Sequence, residues 1–317
     1  MLDTFLILIG LVLLYYGGEG VVSGAVAISL KMGLPKLVVG LTVLAFSTSS
    51  PELFVCVKAA LQENGGIALG NVVGSNIANI ALILGIAACI CPLEVHQNVI
   101  RQQIPVLILA SVAFIYFLYD GMMTFSDGII LLIGLGVYIL ISLLNAKKYP
   151  DEEQSEELIE AESLSSWRAA LYLLAGLVGL ILGAECMVTG AVKIASSMGI
   201  SEAVIGLTVV SIGTSLPELA TCIVAAMKKE VDIVTGNLIG SNVFNIGAIM
   251  GCTAVVHPVV NQGITAIDWG VMLFLTLMMI PIMITGFRVN RFEGSLLVSF
   301  YALYIAYLVL TIPGTSA

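Results

Sequence analysis

Long apolar runs separated by short polar or glycine-containing turns make up most of this chain. A membrane-crossing helix needs roughly 20 consecutive apolar residues. By that measure the pattern predicts ten spans, at 2–30, 35–61, 66–90, 99–119, 126–145, 167–197, 201–227, 232–255, 266–286 and 293–313. Several exceed the minimum, which allows tilt or an internal break. Within two pairs of spans the apolar pattern is interrupted by polar residues. One interruption is Ala45-Phe46-Ser47-Thr48-Ser49-Ser50-Pro51-Glu52, matched by Ser211 to Glu218. The other is Gly70-Asn71 through Asn79, matched by Gly236-Asn237 through Asn245.

Composition agrees with a membrane protein. Of 317 residues, 59% are hydrophobic and 10% are charged, whereas soluble domains carry about 25% charged residues. The net charge of −9 is unevenly spread. Asp151, Glu152, Glu153, Glu156, Glu157, Glu160 and Glu162 share one stretch without aromatic residues or an apolar stripe, which reads as a solvated linker. It lacks the alternating ligands and turn glycine of a calcium loop. The six cysteines form no CxxC pair and fall almost entirely in spans, where they read as small packing residues. His96 and His257 flank spans, so no histidine relay crosses the membrane. The first span has no basic leader or cleavage motif, and is expected to be retained.

Ten spans put both termini on one side. With the termini outside, the inside loops and their edges hold Lys31, Lys36, Arg101, Lys147, Lys148, Arg168, Lys228, Lys229, Arg288 and Arg291. The positive-inside rule therefore predicts outside termini and a cytoplasmic 146–166 loop in the cell membrane.

The chain also repeats itself at an offset of 166 residues. Glu19 pairs with Glu185, Gly40-Leu41-Thr42-Val43 with Gly206 to Val209, Thr48-Ser49 with Thr214-Ser215, and Pro51-Glu52-Leu53 with Pro217-Glu218-Leu219. Five spans per half is an odd number, so the second half enters from the opposite face. The expected fold is an all-α integral membrane protein of ten transmembrane helices, arranged as two inverted five-helix repeats with broken helices at mid-membrane. Its parts are residues 1–145, a linker at 146–166 and residues 167–317. Transporters use such repeats to alternate access to a site at their interface.

The matched polar stretches predict what that site holds. A proline inside a helix removes one donor and crowds the carbonyl four residues back, freeing carbonyls near Ser47-Thr48 and Gly213-Thr214. Non-helical backbone at this depth is tolerated only where it is buried or lines a watery cavity. Glu52 and Glu218 cost a few kcal/mol each in such a place, and no basic residue is available to them, because Lys58 and Lys193 sit toward the span ends. Their expected partner is a mobile cation or a proton; permanently protonated carboxyls joining helices are the alternative. Ser75 and Asn79, like Ser241 and Asn245, are four residues apart and share a helix face. The donors are all oxygens, which favours calcium or sodium, makes magnesium a weaker fit, and argues against zinc or copper. Glu19 and Glu185 either line an access path or bond freed backbone.

These motifs resemble the α-repeats of the sodium/calcium exchangers, within the cation/calcium antiporter superfamily. The family pattern is G-T-S-x-P-E in one span and G-N-x-x-G-S-N-x-x-N/D in the next, present twice. Gly213 to Glu218 and Gly236 to Asn245 match it fully, and the first copy departs at Ser47 and Ser50. The resemblance covers the whole chain. It implies one calcium and three sodium positions at mid-membrane. Glu52 and Glu218 would bridge calcium, joined by the backbone carbonyls of Thr48 and Thr214. Ser49, Ser75 and the Ala45 carbonyl would serve one sodium with Glu218. Ser215, Ser241 and the Ser211 carbonyl would serve another with Glu52, and Asn79 and Asn245 would line the middle.

The resemblance further implies an antiporter exchanging Na⁺ for Ca²⁺, with the bilayer as its surroundings and no cofactor, nucleic acid or obligate protein partner. Asn245 stands where some members carry aspartate, which leaves a site of formal charge −2 and leans against potassium dependence. Ser47 could shift ion selectivity. H⁺/Ca²⁺ exchange and K⁺-dependent exchange are the alternatives within transport. An intramembrane aspartyl protease and a channel fit less well, because the acids are glutamates on a repeated frame of cation ligands.

Overall fold

The computed structural model describes residues 2–148, 166–197 and 211–311. The acidic stretch from Asp151 to Glu162 and the first part of the expected 201–227 span lie outside them. The helices are α1 (Leu2–Met32), α2 (Lys36–Thr48), α3 (Ser50–Leu61), α4 (Gly65–Ile90), α5 (Val99–Phe117) and α6 (Phe125–Lys148). They continue as α7 (Ser166–Ser197), α8 (Ser211–Thr214), α9 (Leu216–Met227), α10 (Val231–Val256), α11 (Ala266–Ile284) and α12 (Arg291–Thr311). Among the described residues, eight helices are long and apolar enough to cross a membrane, and the bent pair α2–α3 makes nine. The shorter α9 is also apolar.

Burial separates a centre from a rim. In α4 and α10, 72% and 83% of the apolar window is buried, against 22–33% in the other long helices. These two are the helices that carry the Gly-Asn motifs. The rim helices turn large apolar side chains outward, among them Phe5, Leu109, Ile133, Leu174 and Leu303. That arrangement suits hydrocarbon as the solvent and keeps polar residues for the centre.

Helices α1 and α7 lie against each other along glycines. A Cβ on Gly17 would stand 2.7 Å from the Leu180 nitrogen, one on Gly24 2.7 Å from the Leu173 nitrogen, and one on Gly190 2.7 Å from the Asp3 carbonyl oxygen. The pairing runs upward along α1 and downward along α7, so the helices are antiparallel. Backbones this close gain packing that a hydrophobic effect cannot supply in lipid.

Short antiparallel strand pairs clasp the ends of the bundle. β1 (Leu93–Glu94) pairs with β4 (Arg288–Val289), and β2 (Met122–Met123) with β3 (Val259–Val260). Leu93 faces Val289 and Met123 faces Val259. Shifting each partner by the repeat offset turns one register into the other, so the clasps obey the same internal symmetry as the sequence.

Candidate cation-binding site

The site begins where two helices stop. α2 ends at Thr48 and α3 starts at Ser50, bent by 45° at Ser49, whose φ and ψ are −87° and 4°. Ser215 makes the same break between α8 and α9, at −90° and 6°. Pro51 and Pro217 therefore do not interrupt a continuous helix. Each occupies the first turn of a new one, where a missing N–H is best tolerated and its fixed φ is already helical. The carbonyls of Ser47 and Gly213 still lose the helical donor that a proline cannot supply.

This placement also explains how two carboxyls are tolerated. Glu52 and Glu218 sit in the first turns of α3 and α9, at the partially positive end of each half-helix. They are 1% and 2% exposed and within electrostatic reach of each other. The carbonyl ends of α2 and α8 face the same breaks and suit a cation.

The hydrogen bonds cross between halves. Ser49 Oγ donates to Glu218 Oε1 at 2.9 Å. Asn79 Nδ2 donates to Asn242 Oδ1 at 3.3 Å, and its repeat counterpart Asn245 Nδ2 to Asn76 Oδ1 at 3.0 Å. Thr214 Oγ1 donates to Asn71 Oδ1 at 3.0 Å, and Thr48 Oγ1 lies 3.3 Å from Asn237 Oδ1. The crossing follows from the packing: α10 lies on α2, and α4 on α8. Gly236 and Gly240 permit the first contact, since a Cβ on either would stand 2.5 Å from the Leu37 oxygen or 2.7 Å from the Leu41 oxygen.

Asn79 and Asn245 each open a π-helical turn, Asn79–Ile83 and Asn245–Met250. Such turns recur at functional sites because the wider coil re-aims the side chains around it. With their amide nitrogens engaged across the centre, the amide oxygens of Asn79 and Asn245 have no donor in the protein. Neither do Glu52 Oε2, Glu218 Oε2 and Ser241 Oγ, all of them buried. Buried acceptors without donors are costly, and here they come from both halves. A hard cation satisfies this set, which contains no nitrogen or sulfur ligand. Among the described residues no cluster of three His, Cys, Asp or Glu side chains could hold a metal. The candidate site therefore depends on amides, hydroxyls and carbonyls as well as the two carboxylates.

Several expectations change. Ser75 meets Ser215, whose Oγ lies 3.1 Å from Ser75 Oγ, rather than Ser49. The reason is that each half's Gly-Asn helix packs on the other half's Thr-Ser segment. Ser241, expected beside Ser215, is buried with an unpartnered hydroxyl. The Ser47 hydroxyl donates to the Val43 carbonyl at 2.6 Å. Its repeat counterpart is Gly213, where a Cβ would collide with Val188 Cγ2. Glu19 carries an ion pair in place of a bond to freed backbone. It pairs with Lys228 at 2.5 Å, and that ammonium also reaches Ser23 Oγ at 3.1 Å. Glu185 is exposed on α7. Ala45 is buried at the α2–α10 contact, and Ser211 opens α8.

Four residues were not singled out from the motifs: Asn71, Asn76, Asn237 and Asn242. All are buried, and all recur at the repeat offset, the signal that could have found them.

Comparison with known proteins gives a consistent result. The sodium/calcium exchanger protein family matches residues 2–144 and, a second time, 168–310. The inner membrane protein YrbG of Escherichia coli is 38% identical, with 81% of each chain covered. The sodium/calcium exchanger MaX1 of Methanosarcina acetivorans is 29% identical over 96% of this chain and 98% of its own. A solved structure of the sodium-calcium exchanger NCX_Mj, soaked with Na⁺ and Sr²⁺, superposes with a TM-score of 0.84 at 32% identity, covering 96% of this chain and 98% of that one.

Proposed function

The chain belongs to the sodium/calcium exchanger family of membrane antiporters, and from that premise we propose that it exchanges Na⁺ for Ca²⁺ at a site centred on Glu52 and Glu218. Three sodium ions would oppose one calcium ion, by alternating access between two inverted halves. The observation that carries this reading is the set of buried oxygens without donors: Glu52 Oε2, Glu218 Oε2, Asn79 Oδ1, Asn245 Oδ1 and Ser241 Oγ. Both halves contribute, so relative movement of the halves changes the cage.

Calcium is bridged by the two carboxylates and by carbonyls at the Thr48 and Thr214 breaks. Sodium takes the flanking hydroxyls of Ser49, Ser75, Ser215 and Ser241, with the carbonyls of Ala45 and Ser211. Two ionised glutamates give the site a formal charge of −2. Calcium neutralises it, and three sodium ions leave +1. The sodium-loaded step therefore moves charge through the membrane field, worth up to ~2.3 kcal/mol per charge per 100 mV.

The antiparallel α1–α7 contact and the exchanged strand registers support ten spans in inverted halves, 1–145 and 167–317, joined by a linker at 146–166. Basic residues cluster at one end, where Lys36 pairs with Glu230 at 3.0 Å and Lys228 with Glu19. By the positive-inside rule that end is cytoplasmic and both termini are outside the cell membrane.

The test is calcium flux in sealed vesicles under a sodium gradient, with and without a proton ionophore. Flux should follow the sodium gradient and the membrane potential, ignore the ionophore and need no potassium. Glu52→Gln and Glu218→Gln should each abolish it. Uptake that tracks pH and not sodium would refute the coupling, and flux retained in either variant would refute the site.

A further inference from the structure

The chain bends by 45° at Ser49 and takes nearly the same backbone angles at Ser215, and the Pro51 and Pro217 nitrogens carry no hydrogen, so contacts from other helices help to hold Thr48-Ser49 and Thr214-Ser215. Asn71 and Asn237 make such contacts. Asn71 on α4 donates from Nδ2 to Cys56 Sγ at 3.4 Å, and Asn237 on α10 donates to Cys222 Sγ at 3.5 Å. Each asparagine therefore grips the half-helix of its own half, α3 or α9. Its amide oxygen faces the other half, Asn71 toward Thr214 at 3.0 Å and Asn237 toward Thr48 at 3.3 Å. Cys56, Cys222, Thr48 and Asn237 are fully buried, and Asn71 is 8% exposed. The thiol serves as an acceptor for the amide, and in Cys56 it also reaches the Ala68 carbonyl at 3.5 Å. An alanine there would leave a buried amide donor unpaired.

Position gives the bond its consequence. Thr48 immediately precedes Ser49, the residue whose hydroxyl binds Glu218, and Thr214 precedes Ser215, which meets Ser75. We infer that Asn71 and Asn237 are positioning residues, each of which transmits the placement of its own half's glutamate helix to the Thr-Ser break of the opposite half. Both polar ends of each amide are engaged by protein, whereas the amide oxygens of Asn79 and Asn245 have no donor. The device ties each break to the opposite half: moving the half that carries Asn237 and Glu218 displaces Thr48 and, with it, the Ser49 hydroxyl that binds Glu218. Thr48 Oγ1 also reaches the Leu44 carbonyl at 3.1 Å. One hydroxyl hydrogen thus has two acceptors, and the cross-half bond can be released without leaving the threonine donor unpaired.

The inference rests on the exchange function proposed above, and a double-mutant cycle separates the two. Thr48→Val and Thr214→Val remove the hydroxyl and keep the backbone carbonyl. Each is combined with Asn71→Ala and with Asn237→Ala, and calcium affinity in detergent and the KM and maximal rate of vesicle flux are measured. Each single variant should weaken calcium affinity and raise KM by about threefold to tenfold, the scale of one buried hydrogen bond. Asn71→Ala should be non-additive with Thr214→Val and additive with Thr48→Val, and Asn237→Ala the reverse. A merely structural role would lower protein yield and maximal rate without this crossed pattern, and additivity in all four pairs would overturn the inference. Should the asparagine variants fail to fold, Cys56→Ala takes the place of Asn71→Ala in the cycle and Cys222→Ala that of Asn237→Ala, with Cys→Ser restoring the affinity. If the unmodified chain moves no calcium, the exchange reading fails; if it does and the crossed pattern is missing, only the inference fails.

Discussion

Replacing Gly236 by alanine tests how closely the halves meet. The added Cβ would stand 2.5 Å from the Leu37 carbonyl oxygen and 3.0 Å from Gly40 Cα and the Leu41 nitrogen. All of these are backbone atoms of α2, which cannot rotate away as a flexible side chain could. Reaching ordinary contact requires α10 to retreat from α2 by about 1 Å, and overpacking of this kind costs about 1–3 kcal/mol. The retreat carries Asn237, the next residue, away from Thr48, and Ser241 away from the centre. Misplacing groups by about 1 Å can cost on the order of 100-fold in turnover where geometry governs the rate. Sodium-driven calcium uptake and thermal melting in detergent should therefore both fall. Gly136→Ala provides the control: it lies on exposed α6 with nothing within 4 Å of its Cβ, and alanine there should be neutral or stabilising by up to ~1 kcal/mol. Gly236→Ala with unchanged melting and uptake would refute the packing of α10 on α2, and with it the proposal that the two halves share one cage.

Two further outcomes follow. Ser47→Gly should leave the sodium and calcium affinities unchanged, because the Ser47 hydroxyl is committed to Val43, whereas Gly213→Ser should lower melting temperature and flux by colliding with Val188; an altered Na⁺/Ca²⁺ selectivity in Ser47→Gly would return Ser47 to the site. Glu19→Gln should cost no more than about 1 kcal/mol in stability, less at high salt, since both partners of its ion pair are 32% exposed; complete loss of exchange would make Glu19 part of an ion path.

The apolar spans, the repeat, the two matched glutamates and the oxygen-bearing residues around them can be read from residue order alone. These are legible because span length, residue identity and register are properties of the chain's order. Bilayer thickness imposes the first, and the duplication writes the others twice. The break was legible as well, though its form was not: proline marks a helix boundary, and only the fold puts Pro51 and Pro217 in the first turns of α3 and α9. Which side chains meet across the two halves depends on how the helices pack. Ser75 belongs with Ser215, Asn71 with Thr214 and Asn76 with Asn245, because α4 lies on α8 and α10 on α2. No periodicity encodes that interleaving. It depends on glycine backbones meeting at close range, as Gly236 does with Gly40, and on amides that find their partners only once two distant segments have packed.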